Sequence, residues 1–161
     1  MCSSDLGQHT SDSFTAQTSM PLHIACGDGQ IYEIEIVGSY TAAATGTDSV
    51  LQPNNAVPTT NSFTVEASFA ATSTASAYNT TTTGGFFLGN GGGSLSMAKV
   101  TLFTGPSRKA SVSTYKVVTT VATYAGVTTV DWNDTTTPYT SVGTITMPNA
   151  WTGTITVRRV A

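Results

Sequence analysis

Alternation of apolar and polar residues constrains the fold of this chain more than any other feature. In the stretch "IYEIEIVGSY", Tyr32, Ile34 and Ile36 fall on one side of an extended chain, and Glu33 and Glu35 fall on the other. Successive side chains of a strand point to opposite faces, so this pattern predicts a half-buried strand with the three apolar residues inward. A slip of one residue would put the glutamates inside, so the pattern also predicts the register.

The same alternation recurs in short segments along the chain. Between them lie connections rich in Gly, Pro and Asn, such as "LQPNNAVPTTN" and "FFLGNGGGS", and no segment has the periodicity of a helix. We therefore predict an all-β fold, specifically an antiparallel two-sheet sandwich, jelly-roll-like, with seven or eight strands. The residues predicted to face inward are Tyr32, Ile34, Ile36, Phe63, Val65, Phe69, Val100, Leu102, Ile155 and Val157.

Charge is scarce in this chain. Only 9% of the residues are charged, against roughly 25% in an average soluble domain. The polar surface must therefore come from Thr, Ser, Asn and Gly, and β-branched Thr also fits a pleated strand. This composition is typical of secreted and virion proteins. A net charge of -3 offers no basic surface for nucleic acid, and the absence of a run of 18 apolar residues predicts no membrane-spanning helix.

The opening "MCSSDL" differs from the Thr-rich sequence behind it. Written as codons, "CSSDL" becomes TGC TCT TCC GAT CT, the end of a common short-read sequencing adapter. Residues 1–6 are therefore predicted to be an artefact of an environmental DNA library that packs against nothing, with part of the natural N-terminus missing. Residues 7–26 are polar and aperiodic, which indicates a linker or N-terminal extension before a β-sandwich domain at 27–161. With Cys2 set aside, Cys26 stands alone and no disulfide framework is predicted.

Residues capable of catalysis are few. His9 and His23 belong to no Ser-His-Asp or Cys-His pattern, and the Gly cluster lacks the lysine of a phosphate-binding loop. Asp131 and Asp134 in "DWND" form the only compact carboxylate pair. A turn that ends a strand explains them better than glycoside hydrolysis or a calcium site that includes Asn133. We predict a protein that is not an enzyme and has no cofactor and no metal site.

Aromatic residues are the remaining candidates for binding. Trp132 and Tyr139 lie close to Tyr124 in sequence, and a flat ring face beside the amide of Asn133 suits the C–H face and hydroxyls of a saccharide. The candidate glycan-binding residues are therefore Trp132, Asn133 and Tyr139. The alternative is a packing role, in which Trp132 caps the sandwich and Trp151 fills its core.

Four short motifs occur in order between residues 27 and 161. They are Tyr32-x-Ile34-x-Ile36, Leu51-x-x-Asn54, Trp132-Asn133 and Trp151-x-Gly153-Thr154. In this order they resemble the C-terminal β-sandwich modules of bacteriophage tail fibres and related virion proteins. The chain departs from that pattern at Arg158-Arg159, where an apolar or aromatic pair is more usual.

The resemblance implies an extracellular virion protein, a distal tail-fibre-type module. Such a module assembles with copies of itself, commonly as a homotrimer, and contacts other virion proteins and a host surface glycan. The resemblance brings no catalytic residue. Two other classes use the same kind of sandwich. A secreted or cell-surface carbohydrate-binding module would expose aromatic rings, and a capsid-decoration or filament subunit would have extended apolar interfaces.

Overall fold

Strands account for nearly all the regular structure. The structure, a computed structural model, describes residues 9–40, 48–55, 63–71, 74–82, 84–89, 94–105, 109–118, 123–134 and 136–161. Its ten strands are β1 (His9–Pro21), β2 (Ile31–Tyr40), β3 (Ser49–Gln52), β4 (Phe63–Ala71), β5 (Thr74–Thr82), β6 (Phe86–Gly89), β7 (Ser94–Thr104), β8 (Lys109–Val118), β9 (Thr123–Trp132) and β10 (Thr144–Arg159). A single 3₁₀ turn, Pro53–Asn55, follows β3. The predicted all-β class is confirmed.

All ten strands belong to one antiparallel sheet. Their order is β5-β4-β9-β8-β7-β2-β10-β3-β6, and β1 pairs with β10. The expected division into two separate sheets is not confirmed, because the pairing is continuous. The short arm formed by β3 and β6 folds back so that β6 contacts β8 and β9. The core lies between this short arm and the rest of the sheet, which we call the long arm.

Strand β10 joins the two arms of the sheet. Its first residues, Thr144–Thr146, pair with β3, and its longer second part, Trp151–Arg159, pairs with β2. Along its other edge it pairs with β1, with a register shift on either side of Gln17. Pro148 lies between the two parts of β10. Because proline has no N–H to donate, it fits at this point, where no ladder partner is required.

The predicted inward face is confirmed wherever the side chains are described. Glu33 is half-buried and Glu35 is exposed, so the glutamates of β2 face away from the core as expected. The side chains of Val65 and Phe69 lie outside the described part of the chain. The predicted core residues found buried are Tyr32, Ile34, Ile36, Phe63, Val100, Leu102, Ile155 and Val157.

The segment predicted as a linker or N-terminal extension, residues 7–26, contains a strand. Most side chains of β1 are exposed on both faces, so its sequence shows no alternation, and main-chain hydrogen bonds to β10 hold it in place. The segment is aperiodic, as noted, but its thirteen residues from His9 to Pro21 form a strand where no regular element was expected. From the end of β1 onward, alternate residues are buried, namely Met20, Leu22, Ile24 and Cys26, and the residues between them are exposed or half-buried. That period-2 pattern is readable in "MPLHIAC".

Residues 1–6 lie outside the described part of the chain, so their origin in an adapter stays a prediction. Cys26 is buried, and its thiol is not part of a disulfide.

Trp151 fills the core, as the packing alternative predicted. Its ring is fully buried, and Nε1 donates a hydrogen bond to the Leu95 carbonyl at 3.1 Å. The ring lies against Gly38 and Gly153, which are paired across β2 and β10. A Cβ on Gly38 would lie 2.6 Å from Cε2 of the indole, and one on Gly153 would lie 2.5 Å from Cη2. Both positions therefore need glycine because the ring occupies the space of a side chain.

We expect Gly38→Ala to lower the free energy of unfolding by about 1–3 kcal/mol, because the added methyl group overpacks the site of Trp151. Gly84→Ala is the matched control, since a Cβ there meets only Val50 Cγ1 at an ordinary 3.9 Å. Urea denaturation of both variants measures the difference. An equal effect of the two substitutions would contradict the close contact between Trp151 and Gly38.

Candidate functional site

The predicted glycan-binding residues lie around a buried aromatic cluster at the end of β9. The Trp132 ring stacks on Phe63, with 5.7 Å between centroids and 13° between planes. Its edges meet Phe86 and Tyr139 at centroid distances of 6.4 and 6.0 Å. Strands β4, β6 and β9 and the loop after β9 contribute one ring each. The cluster thus joins the short arm of the sheet to the long arm.

This burial corrects the expectation of an exposed sugar-stacking platform. Trp132 is 6% exposed and Tyr139 is 1% exposed, so neither ring has a free face for a saccharide. Asn133 is exposed, and the side chain of Tyr124 lies outside the described part of the chain. Trp132 and Tyr139 do lie in contact, and this contact is part of the packing of the core.

A lysine is buried beside this cluster. Lys109, the first residue of β8, is 2% exposed. Its Nζ donates a hydrogen bond to the Asp134 carbonyl at 2.9 Å and lies 5.1 Å from the centroid of the Trp132 ring. The carbonyl dipole and the π face both favour a cation. Sequence reasoning missed this residue, since a lysine at the first position of a strand is expected to reach solvent.

Asp134 forms the turn that was predicted for "DWND". Its Oδ1 accepts hydrogen bonds from the N–H and hydroxyl of Thr136, both at 2.8 Å, and from the N–H of Thr137 at 2.9 Å. Burial alone would raise the pKa of Asp134, but hydrogen bonds from Thr137 and Thr136 outweigh it and hold the pKa well below its usual range. The described residues include no group of three or more His, Cys, Asp or Glu arranged to hold a metal ion.

Asn54 holds the loop that follows this turn in place through hydrogen bonds. It is one of the residues on which the virion resemblance depends. It has a φ of 58° in the left-handed region, which Asn tolerates better than most residues. Its Oδ1 accepts hydrogen bonds from the N–H groups of Thr140 and Ser141 at 2.8 and 3.2 Å, and its Nδ2 donates to the Pro138 carbonyl at 3.0 Å. Asn55 adds a bond to the Ser141 hydroxyl at 3.1 Å. The motif thus has a structural role in this chain.

A second candidate surface is the side of β2, β7, β8 and β9 that faces away from the core, which we call the outer face. Five large apolar side chains are exposed on it by 36–52%, namely Val37, Met97, Phe103, Val112 and Val127. Near one end, a shallow groove of about 440 Å³ is lined mainly by Ile31, Phe103, Ala110, Val112, Thr129 and Asp131. Sequence reasoning missed this surface, although apolar residues at outward positions of the strands were a readable signal.

Charged groups flank the outer face. Arg158 of β10 donates two hydrogen bonds to the Glu33 carboxylate, one of them from Nε at 2.9 Å. The hydrogen bond from Arg158 holds the pKa of Glu33 below its usual value, and Lys99 adds to the effect. Glu35 pairs in register with Lys99 on β7. The face therefore carries both signs of charge beside its apolar groups.

Comparison with known proteins finds no match to this chain among protein families, curated proteins or solved structures. The described residues contain no helix with the length and hydropathy to span a membrane.

We expect Trp132→Ala to lower the free energy of unfolding by about 3–5 kcal/mol, the usual cost of removing a large buried aromatic side chain. Val127→Ala truncates an apolar side chain on the same strand, but this side chain faces outward and is 46% exposed. That control should cost less than about 1 kcal/mol. Thermal and urea denaturation measure both values, and a Trp132 variant as stable as the control would overturn the buried position of the ring.

Proposed function

We propose that this chain is a non-enzymatic bacteriophage virion protein, a tail-fibre-type module that assembles with copies of itself through the outer face. The observation that carries the proposal is the set of five exposed apolar side chains on one face of a charge-poor sheet. The ordered resemblance of the sequence to virion β-sandwich modules supplies the biological setting.

Exposure of this kind favours a protein partner. Contiguous apolar surface on a monomer is commonly an interaction site, whereas single exposed apolar residues need no explanation. Val37 and Met97 are paired across β2 and β7, and Phe103 and Val112 line one groove. The apolar residues therefore form patches toward the two ends of a continuous sheet surface, with Lys99 and Thr101 of β7 between Met97 and Phe103. Covering them with a second copy would remove their apolar area from water.

The charges beside these patches are compatible with burial. Glu33 is already bonded to Arg158 within one copy, so covering this part of the outer face would not leave the carboxylate as an unpaired charge. Closed symmetry repeats each contact several times in an assembly. The homotrimer is the state that the resemblance favours.

Contact with a host surface glycan is part of the proposal on the resemblance alone. Asn133 is the exposed member of the three candidate residues, and its amide can hydrogen-bond to sugar hydroxyls. One such contact is weak, but copies presented together on an assembly bind with a much higher combined affinity.

The outer face equally favours the alternative of a capsid-decoration or filament subunit, since such subunits also use apolar contacts between copies. It gives less support to a monomeric carbohydrate-binding module, because the rings proposed for stacking are buried. Virion genes beside this gene on a longer DNA fragment would separate the two virion roles from the carbohydrate-binding module.

We expect the chain to sediment as an oligomer and Val112→Glu to sediment as a monomer, because the new carboxylate would have to lose its water in the contact. Thr18→Glu is the control, an exposed position on β1 away from the outer face, and it should leave the oligomer intact. Analytical ultracentrifugation measures all three, and circular dichroism checks that each variant is folded.

A wild-type chain that stays monomeric at every concentration would contradict self-association. An oligomer that survives Val112→Glu would show that the contact lies elsewhere on the molecule.

A further inference from the structure

The inner face of β8 is mostly polar, and β9 adds one buried threonine beside the apolar Val130. Ser111, Ser113 and Tyr115 alternate along β8 on the buried side, and Thr128 lies on the same side of β9. Ser111, Ser113 and Thr128 are fully buried, and Tyr115 is 5% exposed. Lys109 continues this row toward the aromatic cluster. A row of buried hydroxyls in the middle of a core needs a physical explanation, because buried polar groups are normally hydrogen-bonded.

These hydroxyl groups lack hydrogen-bond partners in the part of the chain that the structure describes. The unpartnered atoms are Ser111 Oγ, Ser113 Oγ, Tyr115 OH, Thr128 Oγ1 and, at the end of the row, Trp132 Nε1. Several unpartnered polar atoms on one face would together cost a large share of the stability of a small domain. A ligand that both donates and accepts hydrogen bonds would remove that cost.

The spacing of the hydroxyls suits a ligand of one or a few atoms. Ser113 and Thr128 are directly opposite each other, and such cross-strand pairs have Cβ atoms about 4.5–5.5 Å apart. Ser111 and Ser113 are two residues apart on one strand, a separation of roughly 6.8 Å. One water with two hydrogen bonds of about 2.8 Å spans up to about 5.6 Å. One water can therefore bridge the opposite pair Ser113 and Thr128, whereas Ser111 and Ser113 lie too far apart for one water and need a second.

Apolar side chains of β6 lie over this face. Phe86, Phe87 and Leu88 of β6 are buried and β6 contacts β8 and β9, with the Phe87 ring 6.2 Å from the Tyr115 ring. These side chains are apolar, so they offer the hydroxyls neither a donor nor an acceptor. Ser111 and Ser113 are paired with the larger Leu102 and Val100 of β7, and the residue of β9 opposite Tyr115 is Gly126.

Tyr115 and Thr128 interact across this face. Burial raises the pKa of Tyr115, the nearby Thr128 hydroxyl offsets part of the rise, and the negative charge of Asp48 adds to it. The Tyr115 and Thr128 hydroxyls therefore belong to one cluster of polar groups.

We propose that the inner face of β8 and β9 is a binding site for buried water, which bridges Ser111, Ser113, Thr128 and Tyr115 beneath β6. The unpartnered hydroxyls supply donors and acceptors of the kind that stable internal waters use, usually two to four for each water. In this proposal, water lies between β6 and the hydroxyls of β8 and β9. The aromatic cluster around Trp132 packs without water.

Removal of single hydroxyls tests the site. We expect Ser113→Ala and Thr128→Val each to lower the melting temperature by several degrees, because each removes an anchor of a shared water network. The double variant should lower it by less than the sum of the two, because the second substitution breaks bridges already lost. Thr114→Ala, an exposed neighbour on β8, is the control and should change it little.

A rise in the melting temperature of either variant would overturn the proposal, since replacing an unpartnered hydroxyl in a dry core is stabilising. A high-resolution crystal structure of the unaltered chain would show directly whether water is bound between these hydroxyls. Water density between Ser113 and Thr128 is the expected result. Direct hydrogen bonds between the side chains, or an organic molecule detected there and in native mass spectrometry, would each contradict water as the ligand.

Discussion

The main-chain pairing of β10 is the interaction on which the rest of the structure depends. This one strand bonds to β1 along one edge and to both β3 and β2 along the other. Because its partner changes near Pro148, the sheet divides there into a long arm and a short arm. The core is the space between the two arms. Loss of β10 would therefore separate both layers that enclose the hydrophobic side chains.

Two tryptophans hold the arms in place, and each acts by occupying space. Trp151 lies over the paired glycines Gly38 and Gly153, and Trp132 links strands of both arms through Phe63 and Phe86. The large aromatic side chains most suited to binding a sugar are thereby used inside the protein. The apolar surface left for a partner is the outer face, whose exposed residues are mostly aliphatic. This division favours contact between protein subunits as the main role of the exposed sheet.

Sequence reasoning predicted the buried residues correctly where one face of a strand is buried and the other is exposed to solvent. Alternation in β2 identified Tyr32, Ile34 and Ile36 correctly because burial and pattern coincide there. It failed for β1, whose side chains are exposed on both faces, since nothing in such a strand alternates. It gave no guide to β8, where the buried positions hold Lys109 and two serines and the exposed ones include Val112. The burial of Trp132 depended on Phe63 and Phe86, which are distant in sequence and whose approach no local pattern indicates.

Amide hydrogen exchange measured residue by residue tests most directly whether β10 holds the sheet together. Exchange in the core of a protein requires global unfolding, whereas edge strands exchange through local opening. We expect the amides of β10 from Trp151 to Val157, together with those of β2, to be the slowest, and those of the edge strands β5 and β6 to exchange much faster. Exchange in β10 as fast as in β5 would contradict the account, because the strand would then open without unfolding the two arms.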